Sequence, residues 1–246
     1  MKAMVLAAGL GTRLRPLTDD RPKALVEIAG RTLLEITLTR LRAFGVREVI
    51  VNVHHFAEMI LEYLRANDNF GMRIEVSREE VLLDTGGGLK KAAWFFLEGP
   101  NRSEEPFILH NVDVISTIDL QKMVQFHREN QALATLAVQE RESSRCLLFN
   151  TQLQLCGRCS PERTELVRPA PRPQALGFCG VHVISPRIFT LMSEEGVFPI
   201  VPAYLRLAAQ GEKIVAFRAD EFYWRDLGRP ENVAQAARDL REKILL

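Results

Sequence analysis

Apolar and polar positions alternate in two rhythms along this chain. Predominantly apolar runs at residues 2–8, 48–53 and 106–111 predict strands covered on both faces. Between them, apolar residues at Leu33, Leu34, Ile36, Leu38 and Leu41 form a helical stripe over residues 32–43, which Gly45 ends. Helix is also expected over 56–66, 87–97 with Gly99-Pro100 as its stop, and from an Asp119 cap to about residue 130. Further strands are expected at 72–76 and 132–138. This β-α-β-α order predicts a parallel sheet with helices on both faces, and such sheets bind ligands at the carboxyl ends of their strands.

The second half changes rhythm. Residues 145–150 and 152–156 suit a hairpin, and 160–173 is a polar, proline-bearing loop. A long strand at 175–184 is interrupted by glycines. Two short helices (186–192 and 200–210), a strand (213–217) and a terminal amphipathic helix (230–243) complete the pattern. Repeats, low-complexity tracts and a clear linker are lacking, so a single domain over 1–246 is expected.

The first strand empties into Gly9-Leu10-Gly11-Thr12-Arg13-Leu14-Arg15-Pro16-Leu17-Thr18, followed by Arg21-Pro22-Lys23. Glycines let backbone N–H groups approach an anion, and the cations supply charge. The run is not a P-loop, because no Gly-Lys-Ser/Thr follows at the required spacing. It is not a dinucleotide fingerprint either, because Leu14 stands where a third glycine or alanine belongs, and Pro16 and Pro22 oppose a helix there. A bland surface turn fits four cations and two glycines behind one apolar strand less well than a phosphate loop does.

Composition narrows the ligand. The net charge of +1 gives no support to nucleic-acid binding, so the local cluster of cations suits a small anion. No membrane-length apolar run or leader pattern is visible, which predicts a cytoplasmic protein with no membrane partner. Cys156 and Cys159 form a C-x-x-C pair, but no second pair or spaced histidines complete a zinc site. All four cysteines, with Cys146 and Cys179, are expected to be structural or incidental, and disulfides to be disfavoured.

Two aspartates stand out. Asp113 directly follows the strand at 106–111, and Asp226 sits in Tyr223-Trp224-Arg225-Asp226-Leu227-Gly228. Taken singly, each is an ordinary cap or turn residue. Set against a cationic loop they suit Mg²⁺, which takes one or two carboxylates together with phosphate oxygens and water. No Gly-x-Ser-x-Gly elbow is present for covalent hydrolysis.

Taken together, Leu6 to Thr18 with Arg21-Pro22-Lys23, Asp84-Thr85-Gly86-Gly87-Gly88-Leu89, Asn111-Val112-Asp113 and Trp224-Arg225-Asp226-Leu227-Gly228 resemble the signature segments of the sugar-1-phosphate nucleotidyltransferases. The resemblance implies a three-layer α/β/α sandwich around a mostly parallel, Rossmann-like mixed sheet. It divides the chain into a nucleotide-binding half at 1–139, a sugar-phosphate half at 140–228 and a terminal helix at 229–246. It implies that Ala8, Gly9, Gly11 and Thr12 hold a nucleoside triphosphate, with Gly88 against the base. Arg13 and Lys23 are the implied catalytic cations, Asp113 and Asp226 the Mg²⁺ ligands, and Gly180 and Arg168 the contacts to a sugar 1-phosphate. The implied reaction is an in-line displacement that releases pyrophosphate.

Val112 replaces the family's usual glycine, and Val167-Arg168-Pro169 lacks the carboxylate of its sugar-site element. The Thr85-Gly86-Gly87-Gly88 run resembles uridylyl and guanylyl transferases of this family alike, with uracil the favoured base. Two alternatives stay open: a cytidylyltransferase for a non-sugar phosphate such as phosphocholine, with Tyr223 and Trp224 as an aromatic cage, and a non-catalytic nucleotide-sugar-binding regulator. The sequence leaves the oligomeric state open.

Overall fold

The computed structural model describes residues 1–98 and 105–241; the Gly99-Pro100 stop and the last residues of the terminal helix lie outside them. The chain opens with β1 (Lys2–Leu6), the short hairpin β2 (Glu27–Ile28) and β3 (Arg31–Thr32), α1 (Leu33–Ala43), β4 (Glu48–Val53), α2 (Ala57–Ala66) and β5 (Arg73–Arg78). Next come α3 (Asp84–Lys91), α4 (Ala93–Leu97), β6 (Phe107–Asn111), β7 (Val114–Ser116), α5 (Leu120–Glu129) and β8 (Ala134–Gln139). The second half adds β9 (Cys146–Phe149), β10 (Leu155–Cys159), β11 (Thr164–Leu166), β12 (Gln174–Ile184), α6 (Ile188–Leu191), α7 (Ile200–Ala209), β13 (Ile214–Arg218), β14 (Trp224–Asp226) and α8 (Pro230–Arg241).

The expected α/β/α sandwich is present. One sheet runs β11-β10-β9-β12-β6-β1-β4-β5, and β8 and β13 join it through β12. β5, β4, β1 and β6 are mutually parallel, whereas β12 is antiparallel to β6 and to β8. The ends of β1, β6 and β8 therefore open on one edge. Alternation along β1 feeds two cores. Ala3 and Val5 face a cluster with Leu34 and Leu38 of α1 and Met123 of α5. Met4 faces a second cluster with Leu89, Phe95 and Tyr204.

Local rules explain most boundaries. Thr32 caps α1 by accepting from Glu35 N at 3.0 Å, while the Glu35 carboxylate accepts from Arg31 and Tyr63. Asp119 caps α5 by accepting from the N–H groups of Gln121 and Lys122. The single helix expected over 87–97 is two, parted at Ala92. A strand, β11, forms inside the expected loop at 160–173 because β10 offers it an edge.

The cysteine expectation is corrected. Cys146 and Cys159 are joined by a disulfide, with Cα atoms 5.2 Å apart. The C-x-x-C spacing concealed this. Cys159 lies directly opposite Cys146 in the β9–β10 register, while Cys156 is buried with a free thiol.

Three buried histidines set the acid limit of the fold. Burial, helped by Arg40, pushes His110 down to about 4; burial and Arg128 do the same for His127; burial and His110 push His182 down to about 3. Each is held neutral in the folded chain but takes a proton near pH 6.5 when unfolded. Their stabilising contribution is thus complete above pH 6.5 and is lost as pH falls toward 4. By pH 5 the loss is about 2 kcal/mol per histidine, so thermal melts should stay level above pH 7 and fall steeply between 6.5 and 4.

Candidate active site

A cleft of about 390 Å³ opens on the sheet edge where β1 and β6 end. Its floor is Ala7-Ala8-Gly9 from the end of β1 and Asn111-Val112-Asp113 from the end of β6, with Lys23 reaching in from the loop. The cationic loop is compact. Gly11, at φ 66°, turns the chain so that its carbonyl accepts from Leu14 N and from Thr18 Oγ1, and Leu14 is buried as the anchor. A Cβ on Gly11 would lie 3.0 Å from Thr18 and 3.2 Å from the Lys23 Cβ, so glycine here serves both conformation and packing. Among the described residues, the N–H groups of Ala8, Gly9, Leu10 and Gly11 meet no acceptor. Such bare donors beside cations are what an anion takes. Thr12 begins the short turn 12–14 at the surface.

The two aspartates meet through a ribbon. β14 pairs antiparallel with β7, setting Asp226 opposite Val114, and Leu227 N donates to Asp113 O at 2.8 Å. Asp226 Oδ1 accepts from Gly228 N at 2.7 Å. A Cβ on Gly228 would fall 2.7 Å from that oxygen and 2.8 Å from the Arg13 guanidinium, so Arg13 and Asp226 converge at Gly228. Lys23 Nζ forms an ion pair with Asp113 Oδ2, both side chains being largely buried. Such a pair, taken out of water, holds each partner in place.

The ribbon is braced from behind. The Arg40 guanidinium on α1 donates to Ser116 Oγ at 2.6 Å and to the Ile118 carbonyl. Burial lowers the Arg40 pKa to about 10, against the pull of Asp119. Trp224 Nε1 donates to Cys179 O at 2.8 Å, and the Arg141 guanidinium lies 4.0 Å from its ring centre. The Tyr223 hydroxyl is bound to Asp239 and Arg225. Both aromatic residues are thus engaged within the fold.

Asn52 and Glu79 form the back wall, and sequence reasoning missed them. Asn52 accepts from Ala7 N at 2.7 Å and donates to Glu79 Oε1 at 2.7 Å; Glu79 Oε2 accepts from Leu83 N at 2.9 Å. A lone amide in the apolar run Glu48–Val53, at the ligand end of its strand, was the available signal. This pair changes the reading of Gly88. A Cβ there would sit 2.7 Å from Glu79 Oε1 and 2.9 Å from Asn52 Nδ2, so Gly88 makes room for the wall rather than directly for a base. Gly88→Ala is expected to destabilise the protein by about 1–3 kcal/mol, measurable as a lowered melting temperature.

Gly180, at φ 71°, faces Asn111, whose Nδ2 would be 2.9 Å from an added Cβ. Arg168 is not brought to the cleft. Its guanidinium donates to Ala208 O, Gln154 Oε1 and Glu212 O, tying the chain after β11 to the starts of β10 and β13 and to the end of α7.

The β7–β14 register brings the backbones of Asp113 and Asp226 together, and among the described residues no group of three or more histidine, cysteine or acidic side chains is placed to hold a metal ion. A strand-end anion loop, a buried lysine and this pair describe nucleotidyl transfer as a class. A model of the nucleotidyl transferase family matches residues 2–146, more than half of the chain, and the chain belongs to that family. The full length also aligns with individual relatives. The N-acetylmuramate alpha-1-phosphate uridylyltransferase of Caulobacter vibrioides is 39% identical over 249 residues, covering 98% of this chain and 97% of that protein. The mannose-1-phosphate guanylyltransferase of Mycobacterium tuberculosis is 32% identical over 246 residues, covering 97% of this chain and 64% of that one. In fold, the chain is similar to a UDP-glucose pyrophosphorylase solved with UDP-glucose, at a TM-score of 0.79 and 18% identity over 98% of each chain. No described helix is long and apolar enough to cross a membrane.

Proposed function

We infer that this enzyme joins UTP to an N-acetylmuramate-type sugar 1-phosphate, forming a nucleotide-sugar and pyrophosphate in a Mg²⁺-dependent reaction in the cytoplasm. One observation carries the reaction class: the Lys23–Asp113 pair lies beside Asp226 and the bare N–H groups of Ala8 to Gly11, on one sheet edge. The full-length likeness to a uridylyltransferase supports the choice of base and sugar.

In the proposed step an oxygen of the sugar phosphate attacks the nucleotide α-phosphorus, the new O–P bond forms, and the bond from α-phosphorus to the bridging oxygen breaks. The nucleophile is already ionised, so no general base is required; no histidine lines the cleft. The loop N–H groups and Arg13 grip the β- and γ-phosphates that depart as pyrophosphate. Lys23 exchanges its contact with Asp113 for one with the α-phosphate, where charge accumulates. Asp113 and Asp226 would hold Mg²⁺, which supplies neutralisation of the crowded phosphate charge.

A pyrophosphate-release screen of nucleoside triphosphates against sugar 1-phosphates tests this. Turnover is expected with UTP and N-acetylmuramate 1-phosphate, and excess chelator should abolish it. Undiminished turnover in chelator would overturn the metal assignment, and preference for another triphosphate would overturn the base.

A further inference from the structure

The catalytic cleft is lined by Val197, and Pro199 of the same connection, with Val201 and Pro202 in the first turn of α7, walls a second, larger cleft. This cleft measures about 580 Å³. It lies on the ligand edge of the sheet, because β8 runs parallel to β6 and Arg141 follows directly from its end. Its other wall carries Arg141, Arg145, Arg158 and Arg163.

The charge there is unbalanced. Arg158 is paired with Glu165 at 2.8 Å. Among the described residues Arg141, Arg145 and Arg163 form no salt bridge, and Glu162 is the other acid in the cleft, so the four cations exceed the two acids by two. Arg141 is held in place by its stack on Trp224 and by donation to Phe178 O at 2.8 Å, and Gly177 leaves the space it fills. Its Nε is buried with no acceptor. Trp224 shares a face of β14 with Asp226, two residues on, so the arginine cleft and the candidate metal aspartate are linked by one side chain.

We propose that this arginine cleft reads a carboxylate on the sugar of the sugar 1-phosphate, making the enzyme selective for an acidic amino sugar. The inference rests on the reading under Proposed function. Guanidinium groups pair with carboxylates through a planar fork. Phe178, Pro199 and Val201 offer apolar cover for the alkyl and acyl groups beside such a carboxylate. A site built around a buried or half-buried charge penalises the analogue that lacks it.

The test compares N-acetylmuramate 1-phosphate with N-acetylglucosamine 1-phosphate, which lacks the lactyl carboxylate. Both are offered with UTP and Mg²⁺ to the wild type and to the double variant Arg145→Gln, Arg163→Gln, two exposed positions whose replacement leaves the core untouched. In the variant, kcat/KM for the acidic sugar should fall about tenfold or more, while the neutral sugar and the KM for UTP stay within about twofold. Equal loss for both sugars, or no loss, overturns the proposal. Calorimetric binding of N-acetylmuramate 1-phosphate to both proteins separates the two readings. Weaker binding by the variant, without turnover by the wild type, would uphold the cleft and overturn the transferase reading. Unchanged binding would overturn the cleft.

Discussion

Asp113→Asn should leave a folded protein whose pyrophosphate release is about a thousandfold slower. The side chain keeps its size and can still accept from Lys23. The Asp113 backbone carbonyl still receives Leu227 N, so the β7–β14 ribbon persists. What goes is the negative charge of one of the two carboxylates proposed to hold Mg²⁺. Steady-state kinetics across a Mg²⁺ titration is the measurement. A large fall in kcat with an unchanged melting temperature is expected. Turnover retained at ordinary Mg²⁺ concentration would show that Asp113 is only the anchor for Lys23.

Lys23→Ala should lower kcat by about a hundredfold to a thousandfold, with the KM for UTP rising less than about threefold. The asymmetry follows from where the ammonium sits. At rest it is committed to Asp113, within a largely buried pair. The loop N–H groups and Arg13 remain to bind the triphosphate without it. Its contribution is expected where charge grows on the α-phosphate, which counts toward the transition state rather than toward ground-state binding. Pre-steady-state nucleotide binding against single-turnover chemistry separates the two effects. A defect confined to affinity would make Lys23 a binding residue and nothing more.

Much of this arrangement was legible in the chain. The sheet's parallel half followed from apolar runs separated by helical stripes, because a strand covered on both faces has little room for polar residues. The phosphate loop was legible because its glycines and cations are consecutive in sequence. Asp113 and Asp226 were each visible only as motif residues. Their juxtaposition depends on the β7–β14 register, which 113 residues of separation do not disclose. Arg40 gave no signal at all, being one arginine among several near α1, yet it braces that ribbon. Arg168 was offered only by the family resemblance, through Val167-Arg168-Pro169, and in the fold its guanidinium turns toward α7 and the start of β13. The Cys146–Cys159 link was hidden for the same reason as the aspartates, since strand partners are set by register and not by proximity in sequence.

β12 bears on how the enzyme can move. Its residues hydrogen-bond to β6 and β8 near the nucleotide loop and to β9 on the side of the arginine cleft. One continuous strand thus spans both halves of the chain like a joist. A hinge between the halves would have to tear backbone ladders on either side of it. The connections 9–25 and 194–199 border the cleft without belonging to the sheet and carry no such ladders. The floor of the cleft is thus laid by continuous ladders, and any loosening that admits a ligand is expected in those connections rather than in the sheet.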